Sequence, residues 1–135
     1  FIPRESLGGI KLGEPIDSYS KRNDYEIVEE SCGEDWYYFK GGDISVFTSD
    51  GIIDTIACVH DVMWNNVPLI GMKILDFINN FQLHVDSCER LYLYEAPPNR
   101  HTQYMYTFIE PLGLCIWCWR KRIIKVVLCS GFMDE

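Results

Sequence analysis

At 135 residues the chain has the length of one domain, and 47% hydrophobic with 14% aromatic residues exclude disorder over most of it. No apolar run approaches the ~20 residues of a membrane-spanning helix; the longest, Leu112–Trp119 and Ile123–Cys129, are divided by Arg120-Lys121-Arg122. A net charge of -8 argues against nucleic acid or membrane as direct partners, because phosphate contacts need basic surface, and favours a basic partner.

In chain order, Gly8-Gly9-Ile10-Lys11-Leu12-Gly13 reads as a short extended piece closed by glycine. Pro15 suits the first turn of a helix over about Ile16–Arg22, which Asn23-Asp24 ends. Tyr25–Glu30, Trp36–Lys40 and Ile44–Thr48 read as strands, separated by Cys32-Gly33-Glu34-Asp35 and by a hairpin turn at Gly41-Gly42-Asp43. Ser49-Asp50-Gly51 turns into a strand over Ile52–Val59, and Asp61–Asn66 reads as a linker. Pro68 and Gly71 precede a second helix over about Met72–Asn80, with Ile74, Phe77, Ile78 and Phe81 at helical spacing. Strands follow at Gln82–Val85, Arg90–Glu95, Gln103–Ile109, Leu114–Arg120 and Ile123–Cys129. Ala96–His101 is a loop, and Phe132–Glu135 a fraying end.

The chain repeats itself. Leu12-Gly13-Glu14-Pro15-Ile16-Asp17-Ser18-Tyr19 aligns with Ile70-Gly71-Met72-Lys73-Ile74-Leu75-Asp76-Phe77, and Ile52–Cys58 aligns with Ile123–Cys129. One domain over 1–135 is therefore expected to contain two copies, about 7–60 and 67–130. The fold class that follows is α+β: tandem helix-plus-antiparallel-meander repeats forming a sheet with short helices on one face.

Charge is uneven. Asp24, Glu26, Glu29, Glu30, Glu34, Asp35, Asp43, Asp50 and Asp54 face the lone cation Lys40 in that stretch, whereas Arg120, Lys121, Arg122 and Lys125 lie in the second half. Strand alternation separates Tyr92 and Tyr94 from Leu91 and Leu93. It likewise separates Tyr104, Tyr106 and Phe108 from Met105 and Thr107, and Cys115, Trp117 and Trp119 from Leu114 and Ile116. With the aliphatic set under the helices, a Tyr/Trp band would cover the open face and could anchor a partner; as cross-strand pairs the same rings would be structural. Trp36 and Tyr38, or alternatively Tyr37 and Phe39, supply a similar stripe beside the acidic run.

Six cysteines would make three disulfides only in an oxidising compartment. Cys58 and Cys129 align between the copies inside apolar strands, and Cys115 and Cys118 fall on opposite faces of one strand, which suits neither a zinc knuckle nor a redox turn. Reduced thiols and a cytoplasmic location are expected. Catalytic constellations are thin: His60 beside Cys58 lacks an orienting partner, His60-Asp61 with His84 could be imagined as a metal site but such isolated histidines are usually structural or exposed, and neither phosphate-binding glycine motif occurs. The expectation is a non-enzyme with no cofactor and no metal.

The opening Ile2-Pro3-Arg4-Glu5-Ser6-Leu7-Gly8-Gly9-Ile10-Lys11-Leu12-Gly13-Glu14-Pro15-Ile16 resembles the start of small bacterial immunity proteins encoded beside polymorphic toxins, including those of contact-dependent growth inhibition. The tandem plan is also similar to the beta-lactamase inhibitory protein, whose two repeats form one concave sheet that grips an enzyme. Both resemblances imply inhibition by binding. They imply an immunity protein that neutralises a cognate toxin, expected to be a basic nuclease. On that reading Glu29, Glu30, Glu34 and Asp35 steer the partner, with Trp36, Tyr92, Tyr94, Tyr104, Tyr106, Trp117 and Trp119 as anchors. The rival reading is an extracytoplasmic adaptor or scaffold domain that binds a peptide or envelope component on the same sheet.

Overall fold

A computed structural model describes residues 1–2, 5–19, 25–31, 34–39, 43–94, 100–109 and 112–130; side-chain surroundings are described for these except at 25–31, 34–36, 38, 92–94 and 100–101. Its strands are β1 (Ser6–Leu7), β2 (Ile10–Lys11), β3 (Tyr25–Ser31), β4 (Glu34–Phe39), β5 (Ile44–Ser49), β6 (Ile52–Cys58), β7 (Met63–Trp64), β8 (Val67–Pro68), β9 (Ser87–Tyr94), β10 (Arg100–Phe108), β11 (Leu114–Trp119) and β12 (Arg122–Cys129). One short α-helix, α1 (Ile74–Asn80), and one 3₁₀ turn at Ile16–Tyr19 accompany them among the described residues. The architecture is α+β in the broad sense, dominated by antiparallel sheet.

Eight strands form one sheet in the order β3-β4-β5-β6-β12-β11-β10-β9. The two meanders meet at the centre, where β6 pairs antiparallel with β12 through Val126 opposite Cys58 and Leu128 opposite Ile56. Backbone connections correspond on the two sides of this seam. Gly13 N–H donates to the Ile53 carbonyl as Gly71 N–H does to Ile123, and Ile53 N–H to Glu14 as Ile123 N–H to Met72. Ile16 N–H donates to Gly51 as Ile74 N–H does to Lys121, and Val59 N–H to Asp43 as Cys129 N–H to Gly113. Bulges fall at matching places too, between Phe47 and Thr48 on the β5–β6 ladder and between Trp117 and Cys118 on the β11–β12 ladder.

Register assigns the faces. Tyr37 opposes Val46 and Phe39 opposes Ile44, while Tyr106 opposes Ile116 and Phe108 opposes Leu114. Phe39, Val46, Phe108, Leu114 and Ile116 are fully buried, as is Phe77 of α1, whose ring meets that of Phe108 at 5.6 Å between centroids. The helix therefore packs on the face carrying Phe108. Its N-cap, Lys73, makes no side-chain cap hydrogen bond, so a helix of this length depends on burying Ile74 and Phe77. Phe81 stacks on Trp64 at 4.2 Å, and Phe1 meets Trp64 edge-on at 5.6 Å.

Several sequence expectations are corrected. The first helix, expected over Ile16–Arg22, is a single 3₁₀ turn ending at Tyr19, and 20–24 lie outside the described residues. Gln82–Val85 is not a strand. Gln82 adopts φ 51 and ends α1, after which Leu83 N–H donates back to Ile78 at 3.0 Å, a helix-closing bond that carries Leu83 onto the core. The presumed linker Asp61–Asn66 begins a hairpin, β7–β8, turned by Asn65 and Asn66 at positive φ, as Gly8 and Gly9 turn β1–β2. Glu34 and Asp35 are not turn residues but paired strand positions, and Arg100 and His101 belong to β10 rather than the loop. The rest of that loop and the end at Phe132–Glu135 lie outside the described residues. Finally, burial aligns Cys58 with Leu128 rather than Cys129: both are buried on the helix face, whereas Cys129 opposes Thr55 and is half-buried.

Candidate functional site

The expected single aromatic face is divided by the ladder register. Tyr104 opposes Cys118 and Tyr106 opposes Ile116, so both rings lie on the helix face, not on the opposite one. Trp117 opposes Lys125 on the other face, where the ammonium sits 4.8 Å from the indole centroid. The physical reason is the period-two pleat: β10 and β11 present opposite phases of their aromatic alternation to one face. Tyr106 packs against the core, while Tyr104 keeps 41% of its surface exposed and Trp119 39%. The side chains of Glu29, Glu30, Glu34, Asp35, Trp36, Tyr92 and Tyr94 lie outside the described part; only their ladder positions are described.

Tyr104 and Trp119 nevertheless border one open cleft of about 470 Å³. Its floor is Tyr106 and Cys118, Thr102 stands beside Tyr104, and the β11–β12 turn, Arg120 and Lys121, forms the rim. The Arg120 guanidinium lies over the Trp119 ring at 4.5 Å, which holds the cation at the mouth. Arg122 is committed elsewhere, donating Nη1–H to the Gly71 carbonyl at 2.8 Å. Arg120 and Lys121 both adopt positive φ, 53° and 66°. The matching turn on the other side of the seam is Asp50-Gly51, and the short hairpins turn on Gly8-Gly9 and Asn65-Asn66, residue types that accept this conformation readily.

Burial pushes the Tyr106 hydroxyl up from 10.0 to about 12, with the neighbouring Cys88 adding to the effect. It pushes the Cys118 thiol up from 9.0 to about 12 for the same two reasons. Neither group ionises near neutrality, so the floor of the cleft is uncharged and its charge comes from the rim. Among the described residues Cys58, Cys88, Cys115, Cys118 and Cys129 form no disulfide. Cys115 and Cys118 do lie on opposite faces: Cys118 belongs to the core, whereas Cys115 sits 3.9 Å from the Thr107 hydroxyl on the side facing away from α1.

A second feature is the edge hairpin β3–β4. Its ladder sets Glu30 directly opposite Asp35 and Glu34 opposite Ser31. Residues 1–66 carry five Lys/Arg against thirteen Asp/Glu, and residues 67–135 seven of each, so the whole net charge of -8 resides in the first half. Each histidine with a described side chain has its own carboxylate neighbour: His60 lies 3.8 Å from Asp43 and His84 3.9 Å from Asp86. No helix among the described residues is long and apolar enough to cross a membrane.

Of the residues lining this cleft, Tyr104, Tyr106 and Trp119 are among the anchors expected from the sequence, whereas Arg120 and Lys121 are not. Two adjacent cations at a hairpin turn, after a Trp and where Gly or Asn is usual, were the available signal. Comparison of the chain with family models, with curated proteins and with solved structures returned no match.

Proposed function

We propose that this chain acts by binding another protein, and that it is an immunity protein neutralising a cognate bacterial toxin, with a basic nuclease as the expected target. The observation that carries the reading is the acidic edge hairpin. Directly opposed like charges on a two-stranded edge destabilise it, so a ladder with Glu30 against Asp35 costs stability that a basic partner would repay. The N-terminal resemblance, Ile2 to Ile16, supports the immunity assignment in particular. The corresponding hydrogen bonds flanking the β6–β12 seam support the further reading that the fold is two copies of one helix-plus-meander unit, the first with its helix shortened.

The experiment is co-purification with the product of the adjacent toxin-like gene at low and high salt, together with rescue of cells expressing that product. A complex that weakens as salt rises supports acidic steering. The double variant Glu30→Gln/Asp35→Asn should fold at least as stably as the parent yet associate ~10-fold more slowly, since steering acts mainly on the on-rate. No capture, no rescue and no dependence on these carboxylates would overturn the proposal.

A further inference from the structure

We infer that the cleft lined by Tyr104 and Trp119 is a binding site for an acidic segment of the partner protein, a carboxylate on Arg120 and Lys121 with its neighbouring apolar side chain against Tyr104. The inference deepens the reading above and rests on it. Three observations converge. The cleft of about 470 Å³ falls within the size range of ligand sites, and its exposed walls are a Tyr and a Trp. Its rim is cationic on a chain whose net charge is -8, and Arg120 is already fixed by stacking on Trp119. That rim is also held in left-handed backbone conformation by two residues poorly suited to it, at a turn whose counterpart uses Asp50-Gly51. Backbone economy favours Asn-Gly here; retaining two cations instead is strain kept at a place where charge is wanted.

An acidic occupant also answers a question posed by the sheet. With corresponding ladders on either side of the β6–β12 seam, a partner meets similar backbone whichever way round it docks. An anionic first half and a cationic cleft in the second half distinguish the two orientations by charge. The partner surface must then be bipolar: basic where it meets the β3–β4 edge, acidic where it meets Arg120 and Lys121.

The test uses the whole chain and amide and indole NMR shifts. The probe is a blocked Glu-Phe-Asp tripeptide, set against its neutral Gln-Phe-Asn counterpart, inorganic phosphate and adenosine monophosphate. The acidic peptide should produce saturable shifts at Tyr104, the Trp119 indole, Arg120 and Lys121, and the neutral peptide should bind ~5-fold more weakly, the loss of an exposed charge pair at the rim. The variant Arg120→Asn/Lys121→Gly should unfold at higher temperature than the parent while losing the peptide, and it should also weaken the complex with the toxin. Equal binding of acidic and neutral peptides, or tighter binding of phosphate or nucleotide, would overturn the inference. A toxin complex indifferent to the variant would overturn it while leaving the proposed function standing, whereas peptide binding without any toxin complex would do the reverse.

Discussion

Gly8 illustrates how narrowly one position can be set. Its φ is +64, and a Cβ built there would lie 3.0 Å from Ile44 Cδ1 and 3.1 Å from Cys58 Sγ, both buried in the core. Gly8→Ala should cost about 2 kcal/mol, from the left-handed conformation and the crowding together, read as a lowered urea midpoint with unchanged slope. Tyr106 and Cys118 contribute to the alkaline limit of stability. Because both fold with raised pKa, their contribution to stability is complete below pH 9.0 for the thiol and 10.0 for the phenol. It is lost as pH climbs toward about 12. Unfolding free energy should therefore fall progressively above pH 9, and absorbance at ~295 nm should reveal a late-titrating tyrosine signal that disappears in Tyr106→Phe.

Among the elements, α1 and the β11–β12 turn make opposite predictions. α1 has no side-chain cap and is held by burial, with Phe77 in ring contact with Trp64, Phe81 and Phe108. Phe77→Ala should destabilise the protein by about 3–5 kcal/mol and expose Trp64 to solvent, visible as a red-shifted tryptophan emission. The turn instead stores strain, so Arg120→Asn/Lys121→Gly should stabilise the fold by about 1–2 kcal/mol in denaturant unfolding. A stabilising change that removes binding is the pattern expected where strain serves a site.

The whole molecule is held by the seam. β6 and β12 pair through Cys58, Ala57, Ile56 and Thr55, and the buried Ile56, Cys58, Val126 and Leu128 join the two meanders into one core. Neither side can lose its central strand without exposing the other's apolar face. Unfolding should be a single cooperative transition, with far-ultraviolet circular dichroism and tryptophan emission coinciding; two separated transitions would mean the halves fold independently. The split of charge between the halves is compatible with this unity: five of the thirteen carboxylates of residues 1–66 lie on the β3–β4 edge hairpin, and the cations Arg120 and Lys121 lie on a turn.

Much of this was legible in the chain itself. The strands around Ile44, Ile52, Leu114 and Ile123, the helix at Ile74 and the corresponding Gly13 and Gly71 starts follow from local pattern, since period and turn chemistry act over a few neighbouring residues. The two-residue turn at Asn65-Asn66 reads as linker in the sequence because the strands flanking it are only two residues each. The faces were a different matter. Whether Tyr104 joins Trp117 or Ile116 depends on the phase of pairing between β10 and β11, which the connection after Phe108 sets and which alternation within either strand leaves open. The cleft was likewise a tertiary product: Tyr104 comes from β10 and Arg120 from the β11–β12 turn, and only closure of the ladder brings a phenol, an indole and two cations around one space. Local sequence determined which residues form strands; nonlocal hydrogen bonding decided what those strands face.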